Sequence, residues 1–241
     1  MTKDVFQQGA ELTTLEMNKP RTLCLLHTGA MLVPVFAELA KELLPGVKLF
    51  HMLDESLIQN TVSAGKLEKV TIRRLFKEIE CAREGGADVV MVTCSSLGPA
   101  IALARQAFDF PVLRVDQAMA GEAVRHGQRV GVLATLPTTL APTCDLVRET
   151  ARAMRRKCTV VTGLCPGAFE AVRAGNGAEH DRLVTRGLLE LMEKVDVVVL
   201  AQASMARVIQ QIPPEQLRVP VLSSPRLGLQ HAQETLAALA G

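Results

Sequence analysis

Cys94 is the residue whose type and position best suit chemistry in this sequence. It ends the apolar run that begins at Asp88, and a helix is predicted to begin just after it, near Leu97. A nearly continuous apolar run predicts a buried parallel strand, and ligands bind at the carboxyl ends of such strands. The hydroxyls of Ser95 and Ser96 and the amides of the next helix would form an anion cradle, and a helix N-terminus lowers the pKa of a thiol. We therefore expect Cys94 to act as an acid/base or nucleophile; a small buried apolar side chain is the alternative.

Hydroxyl side chains recur after other predicted strands and could bind a carboxylate together with Ser95 and Ser96. Hydroxyls and backbone amides stabilise a negative charge that develops during a reaction. Small polar residues at turns also cap helices, so only their recurrence at strand ends favours substrate binding. The further candidates are Thr28, Thr135, Thr138 and Ser204.

Several titratable residues at strand or loop ends have a possible chemical role and a structural alternative. His27 ends the first strand and could donate a proton or orient a substrate, but a hydrogen-bonded structural histidine is the alternative. His51 is a weaker case of the same kind. Asp116 could bind substrate or cap the helix that follows, and Arg226 could pair with a substrate carboxylate or lie in solvent.

The composition limits the class of protein. The 241 residues are 48% hydrophobic and 3% aromatic, without Trp or Tyr, and the formal charge is +2. Polar residues interrupt every apolar run well short of the roughly 20 residues that a membrane span needs. A nearly balanced charge with few aromatic rings argues against a nucleic-acid surface built on base stacking. We therefore expect a soluble globular protein with no nucleic-acid or membrane partner.

The sequence also predicts the compartment and the absence of a nucleotide. Residues 1–8 are polar and no apolar stretch with a cleavage site follows, which predicts a cytoplasmic protein. The six cysteines are not closely paired, so we expect reduced thiols rather than disulfides or a zinc site. The glycine-rich stretches 163–167 and 175–177 lack the spacing and the lysine of a phosphate-binding loop. Nucleotide binding is therefore not expected.

Strand-like and helical segments alternate along the chain, a pattern typical of βα units and a parallel sheet. The predicted strands are 22–27, 47–52, 87–93, 112–115, 129–134, 159–162, 196–201 and 219–222. The predicted helices are 32–44, 67–84, 99–108, 139–156, 180–194, 205–211 and 227–240. Two half-chains of similar order predict an α/β fold with two similar lobes. The first lobe would hold 1–116 and 222–241, because the last helix could return to cover it, and the second would hold 117–221.

Three motifs carry a resemblance to a known superfamily. Thr93-Cys94-Ser95-Ser96 resembles the first catalytic cysteine motif of the aspartate/glutamate racemases, whose superfamily includes hydantoin racemases, maleate isomerases and arylmalonate decarboxylases. The segment 131–138 resembles the superfamily's glycine-containing strand and the threonine turn that follows it. The segment 165–175 resembles a segment of the glutamate racemases. The resemblance implies two flavodoxin-like lobes with the active site in the cleft between them. It also implies no metal, no organic cofactor and a homodimer or higher homo-oligomer.

The superfamily's racemases use two cysteines, one on each face of the substrate, and this sequence departs from that plan. The second cysteine usually lies in a motif such as Leu-Gly-Cys-Ala-Gly-Met-Ala. The matching stretch 200–206 reads Leu-Ala-Gln-Ala-Ser-Met-Ala, with Gln202 in the place of the cysteine. An amide is not a proton-transfer base near neutral pH, although it can form hydrogen bonds with a carboxylate or enolate.

Three reaction schemes remain open. Another group could supply the second proton, and Cys165 is the nearest candidate by type, although a buried structural thiol is its alternative. Cys94 alone could exchange a proton with a planar enediolate, as a decarboxylase would require. Its thiolate could instead add to an activated alkene, as the maleate isomerase branch implies.

The sequence thus predicts a cofactor-independent isomerase of racemase type that acts on a small carboxylic acid. Cys94 is the expected acid/base and Gln202 the polar replacement of the second cysteine. A protein that binds a small acid without converting it is the alternative from another class. Such a protein would keep its affinity in a Cys94→Ala variant, whereas an enzyme that uses the thiolate would lose turnover.

Overall fold

Two four-stranded parallel sheets form the frame of the protein. The computed structural model describes residues 20–239. The first sheet contains β1 (Thr22–His27), β2 (Lys48–Leu53), β3 (Val89–Val92) and β4 (Val112–Arg114), in the order β2-β1-β3-β4. The second contains β5 (Arg129–Ala134), β6 (Thr159–Leu164), β7 (Val197–Leu200) and β8 (Val221–Ser223), in the order β6-β5-β7-β8. The shared order shows that the two lobes repeat one plan.

Helices cover both faces of each sheet. Those of the first half are α1 (Leu32–Leu43), α2 (Glu55–Ala64), α3 (Lys69–Glu84), α4 (Gly98–Ala107) and α5 (Gln117–His126). The others are α6 (Pro137–Ala153), α7 (Ala168–Arg173), α8 (Gly177–Met192), α9 (Ala206–Ile209) and α10 (Ser224–Ala238). Short 3₁₀ turns lie at Ser95–Leu97, Ala203–Met205 and Pro214–Gln216. Within residues 20–239, no helix is long and apolar enough to cross a bilayer.

The inner strands show why this sequence forms parallel sheets. β3 (VVMV) and β7 (VVVL) are buried at every position. Strands with helices on both faces cannot alternate apolar and polar residues, because either face would bury the polar ones. On the first sheet, Leu229, Ala232 and Leu236 of α10 belong to the same apolar cluster as Leu23 and Met91. The last described helix therefore covers a sheet formed by the first part of the chain.

The predicted α/β fold with two similar lobes is confirmed. β1 and β5 have the predicted bounds, 22–27 and 129–134. Helices α2 and α7 were not predicted, because each buries few apolar side chains; α2 buries only Leu57, Ile58 and Thr61. The predicted end of the last helix, at 240, lies outside the described residues, as does the polar segment 1–8.

The contacts of α10 bear on how the lobes are divided. This helix contacts both α1 and α5, so it lies against elements from both halves of the chain. Residue 222, where the first lobe was predicted to resume, lies inside β8, which pairs with β7 of the second sheet. The division of the chain into lobes stays a prediction, with β8 belonging to the second sheet.

Candidate active site

A cavity of about 470 Å³ is lined by side chains from both lobes and is here called the cleft. The first lobe contributes the turns after β1 and β3 and one side of α2; the second contributes the start of α6, helix α7 and the turn after β7. Ligand sites of open α/β folds lie at these strand ends. Of the residues predicted from sequence, the cleft is lined by Thr28, Cys94, Ser95, Ser96, Gln202 and Ser204.

The Cys94 thiol lies between the end of β3 and the 3₁₀ turn that leads into α4. Its sulfur receives hydrogen bonds from the Thr28 hydroxyl, from the amides of Ser96 and Leu97, and from the Ser96 hydroxyl. Burial nevertheless raises the pKa of the Cys94 thiol above its usual value, because desolvation outweighs these hydrogen bonds. The amides of the turn do lower this pKa, as the sequence predicted, but desolvation raises it by more. Burial therefore favours the protonated thiol over the thiolate, and the thiolate is a stronger base when it forms.

A hydroxyl pair joins the two lobes beside this thiol. The Ser96 Oγ lies 2.7 Å from the Thr139 Oγ1, and both side chains are buried. Since Ser96 also contacts the Cys94 sulfur, a chain of hydroxyls runs from Thr139 through Ser96 to the thiol. Thr139 lines the cleft, whereas the predicted Thr138 does not; its Oγ1 is buried without a hydrogen-bond partner among the described residues. The cleft is therefore lined by the neighbour of the predicted threonine, and a substrate-binding role of Thr138 stays a prediction.

Gln202 stands where the second cysteine was expected, and Thr135 fixes its amide. The Gln202 Oε1 accepts a hydrogen bond of 2.7 Å from the Thr135 backbone amide, and its Nε2 donates to the Thr135 hydroxyl. Thr135 is buried and does not line the cleft, so it supports Gln202 rather than contacting a ligand directly. One N–H and one lone pair of the amide remain for a ligand, but no basic group.

His27 is not brought to the cleft. It is fully buried, with its Nδ1 2.9 Å from the Thr93 Oγ1 and its Nε2 2.9 Å from the His51 Nδ1. Burial, and then the neighbouring His51, lower the pKa of His27 to about 4. Its ring also lies against that of Phe36 in the core. His27 therefore has the geometry of a structural histidine whose two ring nitrogens are hydrogen-bonded, the alternative to a catalytic role.

Cys165 is likewise directed into the core rather than into the cleft. It is 4% exposed, and a β-carbon at Gly187 would lie 2.7 Å from its sulfur. Burial raises the pKa of the Cys165 thiol to about 11. A buried thiol with that pKa, away from the cleft, has the geometry of a structural side chain.

Asp116 and Arg226 have partners within the protein. The Arg114 guanidinium donates two hydrogen bonds to the buried Asp116 carboxylate, of 2.7 and 3.0 Å. Asp116 therefore neither lines the cleft nor caps α5 with its side chain. Arg226 donates two hydrogen bonds of 2.7 Å to Glu42, which joins α10 to α1 at the surface.

Two charged residues of the cleft were missed by sequence reasoning. Glu55 is the first residue of α2, and Arg173 is the last of α7, with its guanidinium 5.9 Å from the centre of the Phe169 ring. Both line the cleft, from opposite lobes. The sequence offered two weak signals: the Asp54-Glu55-Ser56 triplet suits a helix start, and Arg173 lies in the segment 165–175 that carries part of the family resemblance.

No set of three or more His, Cys, Asp or Glu side chains is placed to hold a metal ion in the described part of the chain. The polar groups of the cleft are instead hydroxyls, backbone amides, the amide side chains of Gln59 and Gln202, one carboxylate and one guanidinium. Groups of this kind bind carboxylates and stabilise enolates by hydrogen bonding.

Solved structures of racemases share this fold. A glutamate racemase from Bacillus anthracis matches with a TM-score of 0.71 and 17% identity, over 91% of this chain and 82% of that one. An allantoin racemase from Klebsiella pneumoniae matches with a TM-score of 0.67 and 19% identity, over 91% and 88%. An aspartate racemase from Picrophilus torridus matches with a TM-score of 0.66 and 13% identity, over 91% and 92%. No curated protein sequence matches the chain significantly.

The family follows from a match over most of the sequence. The model of the Asp/Glu/hydantoin racemase family matches residues 26–232, which include both Cys94 and Gln202. The chain therefore belongs to the Asp/Glu/hydantoin racemase family, and the resemblance found in its motifs is confirmed. Membership in this family supports a racemase-like enzyme.

Proposed function

We propose that the protein is a cofactor-independent isomerase of racemase type that moves a proton on the carbon next to a carboxylate in a small carboxylic acid. The observation that carries the proposal is the Cys94 thiol in the cleft, with the Thr28 and Ser96 hydroxyls and two backbone amides around its sulfur. A thiol that lies in a cleft among such groups can exchange a proton with a carbon acid that enters beside it.

In the proposed reaction, the Cys94 thiolate takes the proton from the carbon acid. The electron pair of the broken C–H bond moves into the substrate carboxylate and gives an enediolate, and the new S–H bond holds the proton. A proton then returns to the carbon and the electron pair re-forms the C–H bond: the donor is the Cys94 S–H on the same face or, for racemisation, solvent water on the opposite face. Hydroxyls of the cleft, among them Ser95 and Ser204, would hydrogen-bond the enediolate, and the Arg173 guanidinium would attract the carboxylate. Because burial disfavours the thiolate, the Cys94 proton must first pass to solvent in the cleft before the thiolate can act as the base.

The fixed amide of Gln202 favours a second candidate, in which Cys94 acts alone. A thiol on one face of a planar intermediate returns the proton to that face, as a single-cysteine decarboxylase would require. Thr135 engages both polar ends of Gln202, and the cleft presents no second thiol among its described residues. Addition of the thiolate to an activated alkene, with cis-trans isomerisation, uses the same single residue.

Deuterium exchange tests the proposal. Amino acids, hydantoins, and substituted malonates and maleates are incubated with the protein in heavy water and followed by NMR, for the unmodified chain, Cys94→Ala and Cys81→Ala. Cys81 is an exposed thiol outside the cleft, so its variant controls for the loss of a cysteine. Exchange, isomerisation or decarboxylation that needs Cys94 but not Cys81 supports the proposal, and a racemic or single-handed product separates the two candidates.

The opposite result would favour the binding protein. If no member of the panel reacts and Cys94→Ala binds the same acids as tightly as the unmodified chain, the enzymatic proposal fails. A cytoplasmic location and a homodimer stay predictions. Sedimentation of the purified protein tests the dimer, with a mass of 52 kDa expected for two chains of 26.0 kDa.

A further inference from the structure

Strand β6 forms one edge of the second sheet and pairs only with β5. The backbone amides of Thr159 and Cys165 donate hydrogen bonds of 2.7 and 2.8 Å toward β5. Alternate residues of a strand direct their N–H and C=O groups to opposite sides, so Val160, Thr162 and Leu164 direct theirs away from the sheet. Among residues 20–239, no backbone group bonds to these outward groups. The edge therefore presents unused donors and acceptors.

The sequence of β6 contains nothing that would prevent another strand from pairing with this edge. Edge strands usually carry a charge, a proline or a bulge that blocks such pairing. β6 reads Thr-Val-Val-Thr-Gly-Leu, without a charged residue or a proline, and its last residue, Leu164, is 41% exposed. The equivalent edge strand of the first sheet, β2, begins with Lys48 and includes His51. Of these two equivalent edges, β6 is the one suited to pairing.

We infer that β6 pairs antiparallel with β6 of a second copy of this chain, across a two-fold axis at Thr162. In this register Thr162 lies opposite the partner's Thr162, and Val160 lies opposite the partner's Leu164. All three outward N–H groups and all three outward carbonyls of each copy are then hydrogen-bonded. Because both copies use the same edge, the two-fold axis closes the assembly at a dimer. The inference is independent of the reaction that Cys94 performs.

The side chains and charges around β6 fit a second copy better than an unrelated peptide. Val160 and Leu164 lie on the same face of the strand, so each Val160 covers part of the partner's exposed Leu164. The exposed cations Arg156 and Lys157 precede β6, and the exposed Glu170 follows it in α7. Antiparallel pairing places the start of one β6 beside the end of the other, which brings these cations toward the partner's Glu170. The same strand thus supplies both halves of a complementary surface.

Like charges at the two-fold axis test the inference. Thr162 is exposed, so Thr162→Lys and Thr162→Glu should both fold, which circular dichroism checks. Each substitution places two equal charges directly opposite each other, and sedimentation equilibrium should show that the dimer dissociates with a Kd at least roughly tenfold higher. An equal mixture of the two variants should form the dimer again, because unlike charges then face each other across the axis.

The matched control is a charge on the other long edge strand. Leu53 is the exposed last residue of β2, and Leu53→Lys should leave the dimer intact. Dimers that persist in both Thr162 variants, a folded mixture that stays monomeric, or dissociation of Leu53→Lys would overturn the inference. An unmodified chain that is monomeric at micromolar concentration would do the same. The exchange assay reports separately on Cys94, so failure of one proposal does not imply failure of the other.

Discussion

The turn after β3 and the turn after β7 have almost the same backbone and different chemistry. Both follow a buried four-residue strand and lead through a 3₁₀ turn into a helix. The backbone angles φ and ψ are −112° and 111° at Cys94 and −123° and 138° at Gln202. In each turn, the carbonyl of this residue accepts a hydrogen bond from the amide three residues later, at 3.1 and 3.0 Å. The repeated fold therefore fixes two equivalent positions, and the side chain alone decides what each can do.

The two positions also differ in what surrounds them. Around Cys94, hydroxyls and amides direct hydrogen bonds at the sulfur. At Gln202, the backbone amide and the hydroxyl of Thr135 form hydrogen bonds with the two polar atoms of the side chain. One lobe thus presents a group that can gain and lose a proton, and the other presents a fixed dipole. An asymmetric pair of this kind suits proton transfer on one face of a ligand.

The largest effect is expected when the second cysteine is restored. Gln202→Cys places a thiol on the opposite side of the cleft, where the backbone matches that of Cys94. If the protein exchanges a proton on one face only, this variant should racemise the exchanged substrate, on the order of 10³-fold faster than the unmodified chain. Chiral chromatography of the product measures the rate, and Gln202→Ala is the control that lacks any new acid. Unchanged stereochemistry in Gln202→Cys would show that the two turns are not equivalent toward the ligand.

A second difference between the lobes is the buried histidine at the end of β1, where β5 has Ala134. Burial lowers the pKa of His27 from 6.5 to about 4, so the unfolded chain binds this proton more readily than the folded one. The stability due to neutral His27 is full above pH 6.5 and is lost as pH falls from 6.5 toward 4. We expect a loss of about 3 kcal/mol over that range, measured as the free energy of unfolding in urea.

His27→Gln should flatten this dependence on pH. His126→Gln, which replaces an exposed histidine, should keep it and serves as the control. An equal slope in the two variants would mean that other groups cause the acid sensitivity.

A smaller effect is expected at the hydroxyl pair between the lobes. Thr139→Val removes the partner that holds the Ser96 hydroxyl, so the Cys94 thiolate loses part of its stabilisation and the pKa of the thiol rises further. The rate of alkylation of Cys94 by iodoacetamide at pH 8 should fall about tenfold. Thr139→Ser keeps the hydroxyl and should retain the rate. An unchanged alkylation rate in Thr139→Val would mean that Thr139 contributes only to packing.

The smallest effect is expected at the fixed amide. Thr135→Ala removes the hydroxyl that accepts from the Gln202 Nε2 but keeps the backbone amide that donates to Oε1. The free energy of unfolding should fall by about 1 kcal/mol, the usual net contribution of one hydrogen bond. Thermal denaturation measures this change, and Thr135→Ser should restore most of it. A loss several times larger would mean that the hydroxyl supports more than this one side chain.

Sequence reasoning reached the parts of the site that follow from strand ends. A run of buried β-branched residues marks where β3 ends and so predicted Cys94 at the ligand site, whereas Gln202 was found only through its match to the family's second cysteine motif. The strand pattern could not say which way a strand-end side chain points, because neighbouring residues of a strand face opposite sides. His27 and Cys165 satisfied the same pattern and face the core instead.

The missed residues lie on helices whose sequences resemble surface helices. Polar residues that line a cleft, such as Glu55 and Arg173, have the same pattern as polar residues in open solvent. That Thr139 lines the cleft and the predicted Thr138 does not has a related cause, since successive residues of a helix differ by about 100° in direction. To identify such residues, one must know how the two lobes pack against each other, and no local sequence pattern encodes that packing.

The position of α10 has a consequence for the order of folding. Leu229, Ala232 and Leu236 complete one face of the first sheet, although they follow every strand of the second sheet in the chain. During synthesis, the second sheet and its connecting helices can all be made while this face of the first sheet is covered only in part, by α1. The second half should therefore reach a complete core first, and the half that supplies the reactive thiol should be the last to become fully native.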